Sequence, residues 1–193
     1  GLAELGVNVF WHTVVGDNPA RLTECLYRAR NRADLIITTG GLGPTCDDLT
    51  KNILAEAFGR KLVFHEPSAQ RIRAHFERIG RPFTDNNLQQ AMLPENCTIL
   101  ENDWGTAPGC AFESGGVHVL MLPGPPFECE TMFRRCAAPY LCGLSDEVIV
   151  SHDIMCFGIG ESSVEQMLHD KMVVMENPTL ATYAKPSEVR LCA

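Results

Sequence analysis

The chain has 193 residues, 45% hydrophobic and 21% charged, which suits one globular domain with a small appendage. Lys and Arg total 16 against 24 Asp and Glu, a formal net charge of -8, so a broad basic surface for nucleic acid is not expected. No apolar run has the length of a membrane-spanning helix and no charged-then-apolar signal segment opens the chain, so no membrane partner is expected either.

The opening GLAELG reads as a helix end stopped by Gly6. Val7 to Val15 clusters apolar residues like a strand. Asp17 or Asn18 can cap the next helix, with Pro19 in its first turn and an apolar face at Leu22, Cys25, Leu26 and Ala29. Asp34 to Thr39 is a short continuous apolar run, the pattern of a buried central strand. Leu49, Ile53, Ala57 and Phe58 then recur at helical spacing before Gly59, so Gly40 to Asp48 is a strand-to-helix loop in a parallel β/α unit. A short strand at Lys61 to Phe64 follows, then a helix at Pro67 to Ile79, and a further one through Met92 capped by Thr84. GCAFESGGVHVLML reads as a hairpin, PGPP ends its second strand, and Phe127 to Leu141 reads as a helix.

These alternations predict a three-layer α/β/α domain with a mainly parallel sheet over residues 1–145. Beyond about Leu144 the character changes, and VIVSHDIMCFGIGES, a helix near Ser162 to Lys171 and EVRLC predict a partial small α+β domain over residues 146–193. Starting on a helix end is odd for such a domain, and one βα unit is expected to be missing before Gly1.

Nine cysteines without a CxxC pair give little support to a zinc or redox motif. They read as small buried hydrophobes in a reducing compartment, which implies the cytoplasm. The six histidines are scattered, with no HExxH pattern.

The chemistry concentrates in GGLGPTCDDLT, Gly40 to Thr50. It fits neither the P-loop nor the dinucleotide-binding glycine pattern. Glycines let the backbone approach a ligand closely, and open N–H groups at a helix start bind anions. Asp47 and Asp48 would repel a bare phosphate, and a divalent cation bridging carboxylate and phosphate reconciles the two features. Taken alone, Asp48 reads as a helix cap ahead of a metal ligand, and Asp17 reads equally as a cap for the helix that follows it.

GGLGPTCDDLT closely resembles the GGLGPTxDDxT signature of the competence/damage-inducible CinA family, within the MoaB/MogA-like molybdopterin-binding superfamily. TVVGDN at Thr13, RPFTDNN at Arg81, GTAPG at Gly105, LPGPP at Leu122, FGIGES at Phe157 and NPTLATYAK at Asn177 also match in family order. The departures are the absent first strand with its Gly-Thr-Glu loop, Phe127 where Ser usually follows PGPP, and no C-terminal amidohydrolase domain. The resemblance implies a MogA-like domain followed by part of a KH-type domain.

It also implies metal-dependent hydrolysis of the pyrophosphate bond of ADP-ribose to AMP and ribose 5-phosphate, with molybdopterin binding or adenylyl transfer, or a non-catalytic truncated form, as alternatives. Asp17 and Asp48 are then the principal acids, holding Mg²⁺ or a similar ion together with Asp47. Gly40, Gly41, Gly43, Thr45 and Thr50 would contact the ligand, with Asn86, Asn87, Gly105, Thr106, Pro123, Gly124 and Pro125 as further wall residues. Tyr183 and Lys185 read as solvated surface. The expected partner is a nucleotide-sugar or pterin-phosphate small molecule, and the expected assembly a homo-oligomer, dimer or trimer.

Overall fold

The structure is a computed structural model that describes residues 1–144 and 152–193. It divides into two compact units, Val9–Asp146 and a second made of Gly1–Asn8 with Glu147–Ala193. The boundary expected at 145 to 146, and residues 148–151 of the VIVSHDIM stretch, lie outside the described residues.

In the larger unit, α1 (Pro19–Arg30) starts at Asn18, whose side chain accepts from the Arg21 N–H, with Pro19 in the first turn. Strand β1 (Leu35–Thr39) leads through the glycine loop to α2 (Thr50–Ala57), and Gly59 at φ 65° lets the chain turn away. Then come β2 (Leu62–Phe64), α3 (Glu66–Arg78) and a 3-10 turn at Asp85–Ala91 that leads into β3 (Met92–Pro94). Strand β4 (Thr98–Leu100) precedes the expected hairpin, β5 (Gly109–Ser114) and β6 (Val117–Leu122). Helices α4 (Pro126–Met132) and α5 (Ala138–Cys142) continue one another through a π turn at Phe133–Ala137. Pro139, in the first turn of α5, has no N–H to extend the regular ladder there.

The main sheet has the order β1-β6-β5-β4. β1 runs parallel to β6, whereas β5 is antiparallel to both its neighbours because a two-glycine turn joins it directly to β6. The sheet is therefore mixed, not mainly parallel. β2 and β3 form a separate antiparallel pair.

Side-chain alternation sends the two faces of β5 and β6 to different helices. Cys110, Phe112, Val119 and Met121 join Leu26 of α1 and Leu54 and Phe58 beside α2 in one core. Gly109 faces the other way, toward Met132 of α4, and Ala111 with its cross-strand partner Leu120 shares that side. This is the expected layered α/β arrangement, with both faces of the sheet covered.

Two expectations fail here. Val7 to Val15 forms no strand, and Val14 is 88% exposed. A strand needs a neighbour to accept its backbone groups, and this stretch has none among the described residues. For the same reason β1 ends the sheet and is not central. Two three-residue strands, β3 and β4, were not expected, because they exist only through pairing with β2 and β5.

In the smaller unit, β7 (Asp153–Phe157), α6 (Glu161–Val174), β8 (Ala181–Lys185) and β9 (Glu188–Cys192) give a three-stranded antiparallel sheet of order β7-β9-β8 with one helix. This is the small α+β domain that the sequence pattern predicts.

Gly109 packs inside the core against backbone as well as side chain: an added Cβ would stand 2.6 Å from both the Met121 carbonyl oxygen and Met132 Sδ. Gly109→Ala should lower unfolding stability by about 1–3 kcal/mol, the range for overpacking a core. Gly160→Ala, with nothing within 4 Å, should shift it far less. Denaturant titration of both variants checks this.

Candidate functional site

Parallel pairing of β1 with β6 sets Thr39 opposite Leu122, so the glycine loop and the PGPP turn leave the sheet at one level. The Gly40 N–H donates to the Leu122 carbonyl (3.0 Å), and a Cβ on Gly124 would sit 3.2 Å from Gly40 Cα. Gly124 is thus small because another backbone lies against it, and a side chain there would displace the Gly40 loop itself. Gly40 and Gly41, at φ 88° and 68°, take conformations that side chains resist.

Beyond Gly40 the loop folds over the start of α2. A Cβ on Gly41 would overlap Thr50 Oγ1, and one on Gly43 would overlap the Asp48 carboxylate. Asp48 Oδ2 accepts from the Thr45 N–H (2.9 Å) and the Thr45 hydroxyl (2.5 Å). Helix α2 begins instead at Leu49, with no side-chain cap. Asp48 therefore braces the Gly-Pro-Thr turn and does not cap the helix, which leaves Oδ1 open. Asp47 is fully exposed, and the Thr45 side chain draws its carboxyl below the usual range.

Two sets of donors are left unused. Among the described residues, the N–H groups of Gly41, Leu42 and Gly43 meet no acceptor, and neither do those of Thr50, Lys51 and Asn52 at the start of α2. The Thr50 hydroxyl also meets no partner among the described residues. Open backbone donors at a loop and a helix start form an anion site.

Further contacts close a circuit around this point. Glu128 Oε2, in the first turn of α4 after PGPP, accepts from Asn102 Nδ2 (2.8 Å), and a Cβ on Gly105 would overlap its carboxylate. Asn102 Oδ1 in turn accepts from the N–H groups of Trp104 and Gly105, which shapes the GTAPG loop. Thr106 Oγ1 accepts from Gln90 Nε2 (3.0 Å), and Lys51 Nζ donates to the Gln89 carbonyl (2.5 Å), which returns to α2. The Gly40 loop, PGPP turn, GTAPG loop and 3-10 turn are thereby linked segment to segment.

Asn86 and Asn87 lie on that 3-10 turn but serve its cap. Asn87 Oδ1 accepts from the Thr84 N–H (3.0 Å) and hydroxyl (2.8 Å), and Asn86 Oδ1 also meets the Thr84 hydroxyl. Asp17 is exposed, and among the described residues no hydrogen bond or ion pair ties it to the circuit; Asn18 beside it caps α1. Among the described residues no group of three or more His, Cys, Asp or Glu side chains could hold a metal, so Asp17, Asp47 and Asp48 do not form a carboxylate cage. What the loop offers is one or two carboxylates, a set that suits Mg²⁺ only when substrate phosphates and water complete its coordination.

Lys51, Gln90, Asn102 and Glu128 were not singled out from the sequence. Lys51 carried a signal, since it shares a helical face with Leu54, Ala55 and Phe58, all buried. It is 6% exposed, no carboxylate of the described residues lies within ion-pair distance of it, and burial pushes its ammonium down to about 8, partly offset by Cys110 and Asp48. The cysteines divide: Cys110 is core, as expected, whereas Cys46 and Cys142 are exposed. No helix among the described residues is long and apolar enough to cross a membrane.

These two turns, at the carboxyl ends of two parallel strands, belong to an α/β domain of the molybdopterin-binding type: residues 1–142 match the family model described as a probable molybdopterin binding domain. Residues 151–192 match the damage-inducible protein CinA KH domain. The chain belongs to the CinA family. A CinA-like protein from Dictyoglomus turgidum is 49% identical over 190 residues, covering 98% of this chain and 46% of the relative. A relative from Acetivibrio thermocellus is 53% identical over 188 residues, 97% of this chain and 46% of its own length. The chain thus spans about half the length of the curated relatives it matches. The crystal structure of CinA from Thermoplasma acidophilum, described as of unknown function, is 32% identical with a TM-score of 0.61, covering 69% of this chain and 78% of that one.

The buried Lys51 makes stability depend on pH. Its ordinary value is 10.5 and its folded value about 8, so between these the unfolded chain binds a proton that the folded chain lacks. Stability contributed through Lys51 should rise as pH goes from about 8 toward 10.5, the cost of the buried charge being complete below 8. Lys51→Met should abolish this slope. Melting temperatures of both proteins at pH 7, 8, 9 and 10 check it, and parallel curves would contradict it.

Proposed function

We propose that the chain hydrolyses the pyrophosphate bond of ADP-ribose to AMP and ribose 5-phosphate with a divalent metal ion, probing the same site that its CinA-type sequence motifs mark. The observation that carries this reading is the set of unused N–H donors at Gly41–Gly43 and at the start of α2, beside an acid that caps nothing. The backbone donors and the Thr50 hydroxyl would hold phosphate oxygens, and the Gly40–Gly124 contact keeps the loop from moving away. Thr45 fixes one oxygen of Asp48, so the other presents a set direction to the metal or to the attacking water. A metal bound with the substrate would neutralise phosphate charge and make water more acidic. Water oxygen bonds to one phosphorus, the bridging oxygen leaves with the other phosphate, and the released proton passes to solvent or to a carboxylate.

A second reading rests on the matched family description, a probable molybdopterin binding domain. A pterin phosphate would use the same donors without turnover. Incubating the protein with ADP-ribose and Mg²⁺ and measuring AMP separates the two: AMP formation supports hydrolysis, and a bound pterin with no AMP supports the alternative.

Asp48→Asn keeps an oxygen for both Thr45 bonds but loses the charge. It should remove most Mg²⁺-dependent AMP formation while the melting temperature changes little. Near-normal turnover in this variant would reduce Asp48 to a turn brace. Asp17→Asn tests the other acid that the family pattern marks, and a smaller loss is expected because no contact links Asp17 to the loop.

A further inference from the structure

Cys97 and Cys110 form a thiol pair of which the glycine-loop site makes no use. The register sets Ile99 of β4 opposite Cys110 of β5, and Cys97, two residues before Ile99, continues the same face of the sheet. Cys110 lies in the core with Phe58 and Phe112, and Cys97 packs against that core. The two thiols share a hydrogen bond. Sulfurs that already touch need only small rotations to reach the S–S bond length of about 2.05 Å. Cys97 also stands just outside the ladder, which begins at Thr98, so a small backbone shift there breaks no strand pairing.

The two thiols are not equivalent. Cys110 is 1% exposed, whereas Cys97 is part-exposed and within reach of solvent. The hydrogen bond from Cys110 draws the Cys97 thiol below its ordinary value, and the Arg60 guanidinium adds to this against the opposing effect of burial. The same hydrogen bond, with burial, pushes Cys110 well up, so the shared proton stays on Cys110. Arg60 is itself fixed: it donates to the carbonyls of Glu95 (2.5 Å) and Glu113 (2.6 Å) and lies over the Phe112 ring, 4.5 Å from its centroid. A cation held beside a part-exposed thiol favours the thiolate, which is the nucleophilic form. Filling the core needs neither the thiol contact nor the cation. Cys46 and Cys142 are more exposed but share no thiol contact among the described residues.

We propose that Cys97 and Cys110 are a reversible oxidation site, at which a hydroperoxide converts the two thiols into an intramolecular disulfide. The Cys97 sulfur attacks one peroxide oxygen; the O–O bond breaks, an S–O bond forms, and the second oxygen leaves with a proton as water or an alcohol. The Cys110 sulfur then attacks the Cys97 sulfur; the S–S bond forms, the S–O bond breaks, and hydroxide leaves as water with the Cys110 proton. Two thiols lose two electrons and one hydroperoxide gains them. The cross-link closes the base of residues 98–109, the segment that carries the GTAPG loop, and a closed loop constrains the unfolded chain. A dithiol reductant reverses the step by thiol–disulfide exchange. This site stands apart from the phosphate reading, and neither depends on the other.

The test treats the whole folded chain with one equivalent of hydrogen peroxide, alkylates the remaining thiols, and maps cross-linked peptides by mass spectrometry. A peptide joining Cys97 to Cys110 is expected, with the nine alkylatable thiols falling by two and returning after dithiothreitol. The melting temperature of the oxidised chain should rise, because the native contact is already made and only the unfolded state is restricted. Cys97→Ser should lose the cross-link and leave Cys110 as a free thiol once the chain is unfolded. Cys110→Ala, which removes the second thiol, should leave Cys97 as a sulfenic acid that dimedone traps. Oxidation confined to Cys46 and Cys142, a different partner for Cys97, or a cross-link that forms only after denaturation overturns the site.

Discussion

Two backbones meeting without side chains, at Gly40 and Gly124, set the geometry on which the candidate site depends. The contact is possible because β1 and β6 run parallel and in register to Thr39 and Leu122, so their following turns emerge together. Prolines on either side of Gly124 stiffen one turn, and the hydrogen bond from Gly40 to Leu122 ties the other to it. From that fixed point the loop reaches α2 in a conformation that leaves its own N–H groups unused. A larger residue at either glycine would open the crevice at its root.

The charges around this point are held in opposition. Asp47 and Asp48 stand beside donors that favour an anion, and Lys51 is buried nearby with no ion-pair partner among the described residues. Neither a phosphate nor a metal alone balances the set. In the proposed function a metal-bound phosphate would, since it would present negative oxygens to the open N–H groups and positive charge to the carboxylates. The bracing of Asp48 by Thr45 matters here because it turns a mobile surface acid into an oriented one. The large share of polar groups already satisfied around the circuit, from Glu128 through Asn102 and Thr106 to Gln89, makes the unsatisfied ones more informative.

Much of the fold was legible because its signals are local. Asn18 with Pro19 starts α1, Gly59 ends the α2 segment, and the Gly115–Gly116 turn joins β5 to β6, each for a reason contained in a few residues. Elements fixed by distant partners were not legible. The Val7–Val15 stretch has strand composition but no neighbour to pair with, and β3 and β4 are short segments that only pairing makes into strands. The site followed the same division. The glycine loop and PGPP turn stood out by composition, and their contact with each other needed the parallel register. The capping role of Asn87 was not legible, because a Thr-x-x-Asn capping box looks, in sequence, like any polar loop. Lys51 could have been found from its place on an apolar helix face.

The claim that matters most is that the loop at Gly41–Gly43 and the first turn of α2 together bind an anion. Titrating the isotope-labelled protein with inorganic pyrophosphate and Mg²⁺, and following backbone amide resonances, tests it directly. The account predicts saturable shifts concentrated at Gly41, Leu42, Gly43, Thr50 and Lys51. Shifts that avoid these amides, or none at concentrations that saturate the ligand elsewhere on the chain, would contradict it.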